Sequence, residues 1–304
     1  MKEFDPEALK KLYVPPSGSH KGQNGKLLII GGSTLFHAAS LWALQIASRI
    51  VDMVFFSSVK ENNMIVHELK KEFRNGIIVP RNEIESYIEE ADAVLIGPGM
   101  TRVEDGISNF EFRISNLQEI ENLKDEGEQS YYLTKYLLAK YPNKKWVIDA
   151  GALQMLEPEW LLQLRGSAVI TPHLGEFERV RLKMKDLGFK KEIEEESLGK
   201  QVELFAKVFN CIVLLKGEMD TICSSEECIS VSGGNAGMTK GGTGDVLAGL
   251  VAALACNNDS FLAATAGSYF NKKAGESLFE KVGYNFNASD LADEIPRVMK
   301  QLHG

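Results

Sequence analysis

The chain has 304 residues, 44% of them hydrophobic and 25% charged, with a formal net charge of −8. That is the composition of a soluble globular protein of one or two domains, and its acidic balance argues against nucleic acid as the main partner. No apolar run approaches the ~18 residues that cross a membrane, and the charged start MKEFDPEALKKLY lacks a signal core, so a cytoplasmic protein with no membrane partner is expected.

Six short apolar runs read as strands: KLLIIGGS (26–33), VDMVFFSS (51–58), ADAVLIGPGM (91–100), KWVIDAGAL (145–153), SAVITPHLGE (167–176) and CIVLLKG (211–217). Their hydrophobicity is continuous, which suits strands covered on both faces as in a parallel sheet. Helical patterns lie between them, at about 38–50, 61–73, 128–140, 152–164 and 197–209, while 101–127 is polar and acidic and reads as a loop or insertion. Alternation of this kind implies a three-layer α/β domain with right-handed crossovers. MDTICSS and ECISVSG then read as an antiparallel hairpin at the sheet edge. The remainder, 244–302, reads as helices, with Pro296 interrupting or ending one. With no repeat or linker to divide it, 1–304 is expected to be a single domain. Cys211, Cys223, Cys228 and Cys256 form no CxxC pair, and the histidine nearest to them in sequence is His173, so reduced structural thiols are expected rather than zinc ligands.

Five of the six runs end in glycine or polar residues, and in open parallel sheets ligands bind beyond the carboxyl ends of the strands. Neither G-x-G-x-x-G after the first strand nor G-x-x-x-x-G-K-[ST] is present. The phosphate cradle would instead be the late GMTKGGTGDVLAGLVAALA (237–255), a glycine-rich turn opening a helix whose Val246, Leu247, Leu250, Val251 and Leu254 share one face. Asp245 in its first turn is the anomaly, because a carboxylate there repels the anion that the backbone invites. One explanation is helix-dipole stabilisation, worth about 0.3–1 kcal/mol.

GMTKGGTGDVLAG resembles the nucleotide-site signature of the ribokinase-like superfamily, and more narrowly that of the ADP/ATP-dependent NAD(P)H-hydrate dehydratases. HKGQNGKLLIIGGS (20–33), VLIGPGM (94–100), ITPHLGEFERV (170–180) and VLLKG (213–217) match that family in the same order. The resemblance implies a ribokinase-like three-layer α/β/α sandwich with a mostly parallel central sheet and a small antiparallel edge hairpin. It makes Asp245 the catalytic base, touching substrate. Lys216, Gly217, Gly241, Gly242, Thr243 and Gly244 would hold the nucleotide, and Ala38, Gly99 and His173 would line the site of the hydrated nicotinamide nucleotide. Glu176 has two readings, a helix cap or a ligand of metal-bridging water.

The implied chemistry is phosphorylation of the hydrate's hydroxyl by ADP or ATP, then loss of phosphate, with Mg2+ bridging nucleotide phosphates and no protein metal site. The expected assembly is a homo-oligomer, a tetramer being one candidate. The chain departs from the family in TLFHAAS (34–40), where a proline-glycine-alanine step is usual and Ala38 and Ala39 compete for the substrate contact. It also has DAGAL for DADAL, with Gly151 in place of a carboxylate and Asp149 retained. The epimerase domain of some members is not expected, since the match begins near residue 20. A ribokinase-like kinase of a small alcohol and a non-catalytic nucleotide-binding protein are the competing readings.

Overall fold

A computed structural model describes residues 1–103, 116–164, 168–185, 187–189 and 195–303. Its strands are β1 (Lys2–Glu3), β2 (Lys26–Ile30), β3 (Met53–Ser57), β4 (Ile77–Ile78), β5 (Ala93–Ile96), β6 (Lys145–Ile148), β7 (Ala168–Ile170), β8 (Ile212–Leu215), β9 (Asp220–Cys223) and β10 (Cys228–Val231). They form one sheet in the order β1-β10-β9-β8-β7-β6-β5-β2-β3-β4. From β8 to β4 every pairing is parallel, whereas β9 runs antiparallel to both β8 and β10 as the expected edge hairpin.

The helices are α1 (Ala38–Ala47), α2 (Lys60–Leu69), α3 (Ile84–Glu90), α4 (Leu117–Glu121), α5 (Glu126–Lys140), α6 (Ala150–Gln154), α7 (Leu174–Leu182), α8 (Leu198–Phe209), α9 (Thr243–Ala255), α10 (Ser260–Val282) and α11 (Ala288–His303). The continuous hydrophobicity of the strands now has its reason. Leu27 and Ile29 point into a core built with α1, α9, α10 and α11. Leu28 and Ile30 point into a second core with α3, α5, α7 and α8 on the opposite face. Successive side chains of a strand alternate between faces, so both must be apolar when helices cover both.

Several local expectations are corrected. The helix expected over 152–164 is α6 followed by a 3-10 segment at Pro158–Leu164, because a proline disfavours helical backbone in the residue before it. Residues 104–115 of the expected loop lie outside the described residues, and 117–121 is helical. Pro296 neither interrupts nor ends its helix, since α11 runs through it. Proline cannot donate to the carbonyl four residues back, and Arg49 reaches that orphaned Ala292 oxygen instead, at 3.5 Å. Cys223 and Cys228 are not free thiols: the hairpin register sets them opposite one another and they are joined in a disulfide. Cys211 and Cys256 are free and buried.

Candidate active site

The parallel strands release their chains at one edge of the sheet, and α9 begins there. Its N-cap is Gly242, in the left-handed region at φ +95°. A Cβ at Gly242 would lie 2.4 Å from carbons of the Trp42 ring, so packing and backbone conformation both require glycine. Gly244 follows inside the first turn. A Cβ there would meet only the Lys216 Nζ, at 3.4 Å.

Lys216 follows β8 and His173 follows β7; the two form a parallel bridge, with the Lys216 N–H donating to Pro172 O at 2.8 Å. This brings the Lys216 ammonium to 3.0 Å from Asp149 Oδ1, at the end of β6. The Thr171 hydroxyl donates to the same oxygen at 2.7 Å. Asp149 is 2% exposed and its lysine partner 18%. Burial pulls the Lys216 pKa down, but Asp149, and then Glu176, outweigh it and leave it raised, so the ammonium stays charged.

Asp245 stands among these groups. Burial pushes its carboxyl up to about 7, Asp149 adds to the effect, Lys216 opposes it and Glu176 contributes further. A carboxyl with that pKa is ionised in an appreciable fraction at neutral pH and is basic enough to accept a proton.

Beside this cluster opens a cavity of about 920 Å³, whose wall includes Lys216, Gly217, Thr243, Gly244 and His173. Two residues that the motifs did not reveal complete it. Lys272, buried, donates to Gly217 O at 3.0 Å and Glu218 O at 2.9 Å and pairs with Asp220 at 3.3 Å, tying the loop after β8 to α10. Asn271, 5% exposed, lines the cavity with an Oδ1 that has no hydrogen-bond partner among the described residues. Both sit on a long helix whose sequence carries no glycine-rich or motif signal. Asp149 did carry a signal, since DAGAL ends a strand.

The remaining expected residues scatter. Gly241 is exposed and Gly242 packs on Trp42; neither is in the cavity wall. Thr243 is buried, its hydroxyl turned back to Met238 O and Lys240 O at 2.6 and 2.9 Å. Gly99 has φ +73°, and a Cβ there would meet Phe36 O at 2.8 Å and the Ala39 Cβ at 3.1 Å. It is therefore Ala39, not the exposed Ala38, that packs against Gly99. His173 is 60% exposed and is the N-cap of α7. Its Nδ1 accepts from Glu176 N at 3.3 Å while Glu176 Oε2 accepts from His173 N at 2.9 Å, a reciprocal cap. Of the two readings of Glu176, the cap is present. His173 shares a cavity wall with Lys216 and Gly217, and Gly99 is not in that wall.

The NAD(P)H-hydrate dehydratase family model matches residues 27–297. A bifunctional NAD(P)H-hydrate repair enzyme of Methanocaldococcus jannaschii is 33% identical over 96% of this chain and 51% of its own length. The chain thus spans about half the length of the bifunctional relatives it matches. An ADP-dependent (S)-NAD(P)H-hydrate dehydratase of Nitrosopumilus maritimus is 32% identical over 96% of this chain and 95% of its own. Among solved structures, the ADP/ATP-dependent NAD(P)H-hydrate dehydratase of Bacillus subtilis, co-crystallised with ATP/Mg2+, superposes with a TM-score of 0.72 at 21% identity, covering 99% and 98% of the two chains. At that identity the likeness speaks for the fold, which is the ribokinase-like sandwich.

Proposed function

The chain belongs to the NAD(P)H-hydrate dehydratase family, and from that premise we propose that it restores NADH or NADPH from its hydrate, using ADP or ATP as phosphoryl donor. Asp245 takes the proton of the hydrate's hydroxyl, and the oxygen attacks the terminal phosphorus of the nucleotide. The phosphoanhydride bond breaks, releasing AMP from ADP or ADP from ATP. The phosphate ester then leaves with the C–O electron pair, and a proton lost from the neighbouring carbon restores the double bond. The Gly244 N–H in the first turn of α9 and the Lys216 ammonium would meet charge on the transferring group.

The observation that carries this reading is the Asp245 carboxyl, raised to about 7 and acted on by Asp149, Lys216 and Glu176, in the chain position next to Gly244 of the cavity wall. An ordinary helix-dipole aspartate is an exposed, fully ionised group, whereas this one is held where proton transfer at neutral pH is accessible. Lys216, Gly217, Thr243 and Gly244 are the proposed nucleotide contacts, and Asn271 Oδ1 adds an acceptor for a base amine. Asp245, Gly99 and Ala39 are the proposed substrate contacts.

Magnesium fits this donor set. The ion usually keeps several waters and binds through one or two carboxylates plus substrate phosphates. Asp149 and Glu176 supply hard oxygens close to Lys216; Asp149 Oδ1 already accepts from Lys216 and Thr171 and the Glu176 oxygens from Gln154 and His173, so they would hold the ion through water. When bound it would neutralise charge on the nucleotide phosphates. A homo-oligomeric, cytoplasmic enzyme is part of the same proposal, and light scattering of the purified protein tests the first half.

The deciding experiment is incubation of folded protein with NADH hydrate and either nucleotide, following return of reduced-nicotinamide absorbance. No recovery with either nucleotide would refute the reading. A stable phosphorylated product without recovery would instead favour a small-alcohol kinase.

A further inference from the structure

A second cavity, of about 790 Å³, opens at the other end of the same sheet edge, beyond β3 and β4. Its wall includes Ser58, Val59 and Lys60 at the start of α2, Arg81, and Thr34 from the loop after β2. No motif pointed to it. Arg81 is only 8% exposed, and no hydrogen bond reaches its guanidinium among the described residues; its Nε is an orphaned buried donor. Burial pulls the Arg81 pKa down, and Glu121 and Glu126 oppose this; a guanidinium in such surroundings remains charged. A buried Nε–H without an acceptor is costly. The N-cap of α2, Val59, has no side-chain cap, so the first N–H groups of that ten-residue helix are also without side-chain acceptors. Carboxylates are present too, but Glu126 is engaged by the Thr34 N–H at 2.9 Å and hydroxyl at 2.6 Å, and Glu68 pairs with Lys71. Glu61 and Glu121 line the wall as well, but among the described residues no ion pair joins Arg81 to any of these carboxylates, so its donors are left for an anion that enters from outside.

The cavity wall is linked to Gly99 by a short chain of packed residues. A Cβ at Gly99 would lie 3.2 Å from the Gly32 Cα, and a Cβ at Gly32 would lie 2.6 Å from Ser58 Oγ, which is in the cavity wall. From β5, which leads into Gly99, to β3 is two strand spacings, about 10 Å. A dinucleotide whose reacting ring lies at Gly99 must run its pyrophosphate and adenosine along this edge in one direction or the other. The β8–β10 end is where the phosphoryl donor sits in the reading above, so the direction left is toward β3 and β4.

We propose, building on that reading, that this second cavity holds the adenylate half of the dinucleotide substrate, with Arg81 and the N-terminus of α2 on its phosphates. The two nucleotides then approach Asp245 from opposite ends of the sheet, and the dinucleotide is told from its nicotinamide mononucleotide counterpart by a residue far from the chemistry.

The test compares the hydrates of NADH and of reduced nicotinamide mononucleotide, which lacks the adenylate, in the wild type, Arg81→Met and Arg81→Lys. The wild type should show a KM for the dinucleotide about ten-fold or more below that for the mononucleotide, the worth of charge-assisted hydrogen bonds. Arg81→Met should collapse that ratio, Arg81→Lys should restore part of it, and ADP affinity should stay unchanged. Equal KM values in the wild type, or a ratio preserved in Arg81→Met, would overturn the proposal. Lys60→Glu, on the exposed rim, reads the same ratio should the arginine variant fail to fold. A second arm is independent of turnover: ADP-ribose is titrated by calorimetry with ADP saturating the first cavity. Binding by the wild type that weakens about ten-fold in Arg81→Met supports the subsite even if neither hydrate is turned over, which would instead sink the proposed reaction. If AMP alone binds in an Arg81-dependent way while ADP-ribose does not, the cavity takes a free nucleotide and the proposal is wrong.

Discussion

The Lys216 ammonium lies 3.0 Å from the Asp149 carboxylate, joining two strand ends 67 residues apart in the chain beside the candidate base. The two partners act on Asp245 in opposite directions: Asp149 raises its pKa, Lys216 lowers it.

The pH dependence of turnover should report that pair. Proton acceptance requires ionised Asp245, so kcat/KM should rise with pH through about 7 and then level. Lys216→Met removes the lowering charge and should move the acidic limb to higher pH, while Asp149→Asn should move it lower. A limb that stays in place in both variants would show that another group titrates. Asp149→Ala should also cost about 3–5 kcal/mol of stability, because Lys216 is left buried and unpaired, measured by denaturant unfolding.

Asp245→Asn should lower kcat by about 10²–10⁴-fold with little change in nucleotide affinity. It should also stabilise the fold in a pH-dependent way. The carboxyl's folded pKa is raised from 3.8 to about 7, so the folded state binds its proton more tightly than the unfolded state does. The cost of ionising it is absent below about pH 4, grows through the intervening range and is complete above about pH 7. The variant's Tm should therefore exceed the wild type's at about pH 8, and the gap should close in acid. Near-normal turnover would reduce Asp245 to a helix-dipole residue.

Gly244→Val and Gly242→Ala should separate binding from folding. Valine at 244 projects toward Lys216 and the cavity, and nucleotide affinity should fall roughly ten-fold as a contact to phosphate is blocked. Alanine at 242 meets the Trp42 ring and a left-handed φ, so it should instead lower stability by about 1–3 kcal/mol. Calorimetry with ADP and thermal melts of both variants distinguish the two effects.

His173→Ala removes the cap of α7 and should lower stability by about 0.5–2 kcal/mol. Because the ring shares the nucleotide cavity's wall, ADP affinity should weaken as well. A rise in KM for the hydrate with ADP affinity intact would return His173 to the substrate side.

What could be read from the chain alone is what is local. Both-face burial leaves its mark in each strand's own composition, so β2, β3 and β5 to β8 were legible from continuous apolar runs. GGTGD ahead of an amphipathic helix was likewise enough to single out Asp245. The two-residue β1 and β4 were missed because two residues carry no periodicity. Pro296 was misjudged because the local rule counts a lost hydrogen bond, and the acceptor was satisfied by Arg49 from another helix. Where Asp149 and Lys216 meet, which cavity His173 faces, that Ala39 rather than Ala38 touches Gly99, and the isolation of Arg81 beside α2 were decided by the tertiary structure. Each depends on which strand ends the sheet order places side by side. That order is set by crossover packing over long sequence separations, which no window of neighbouring residues records.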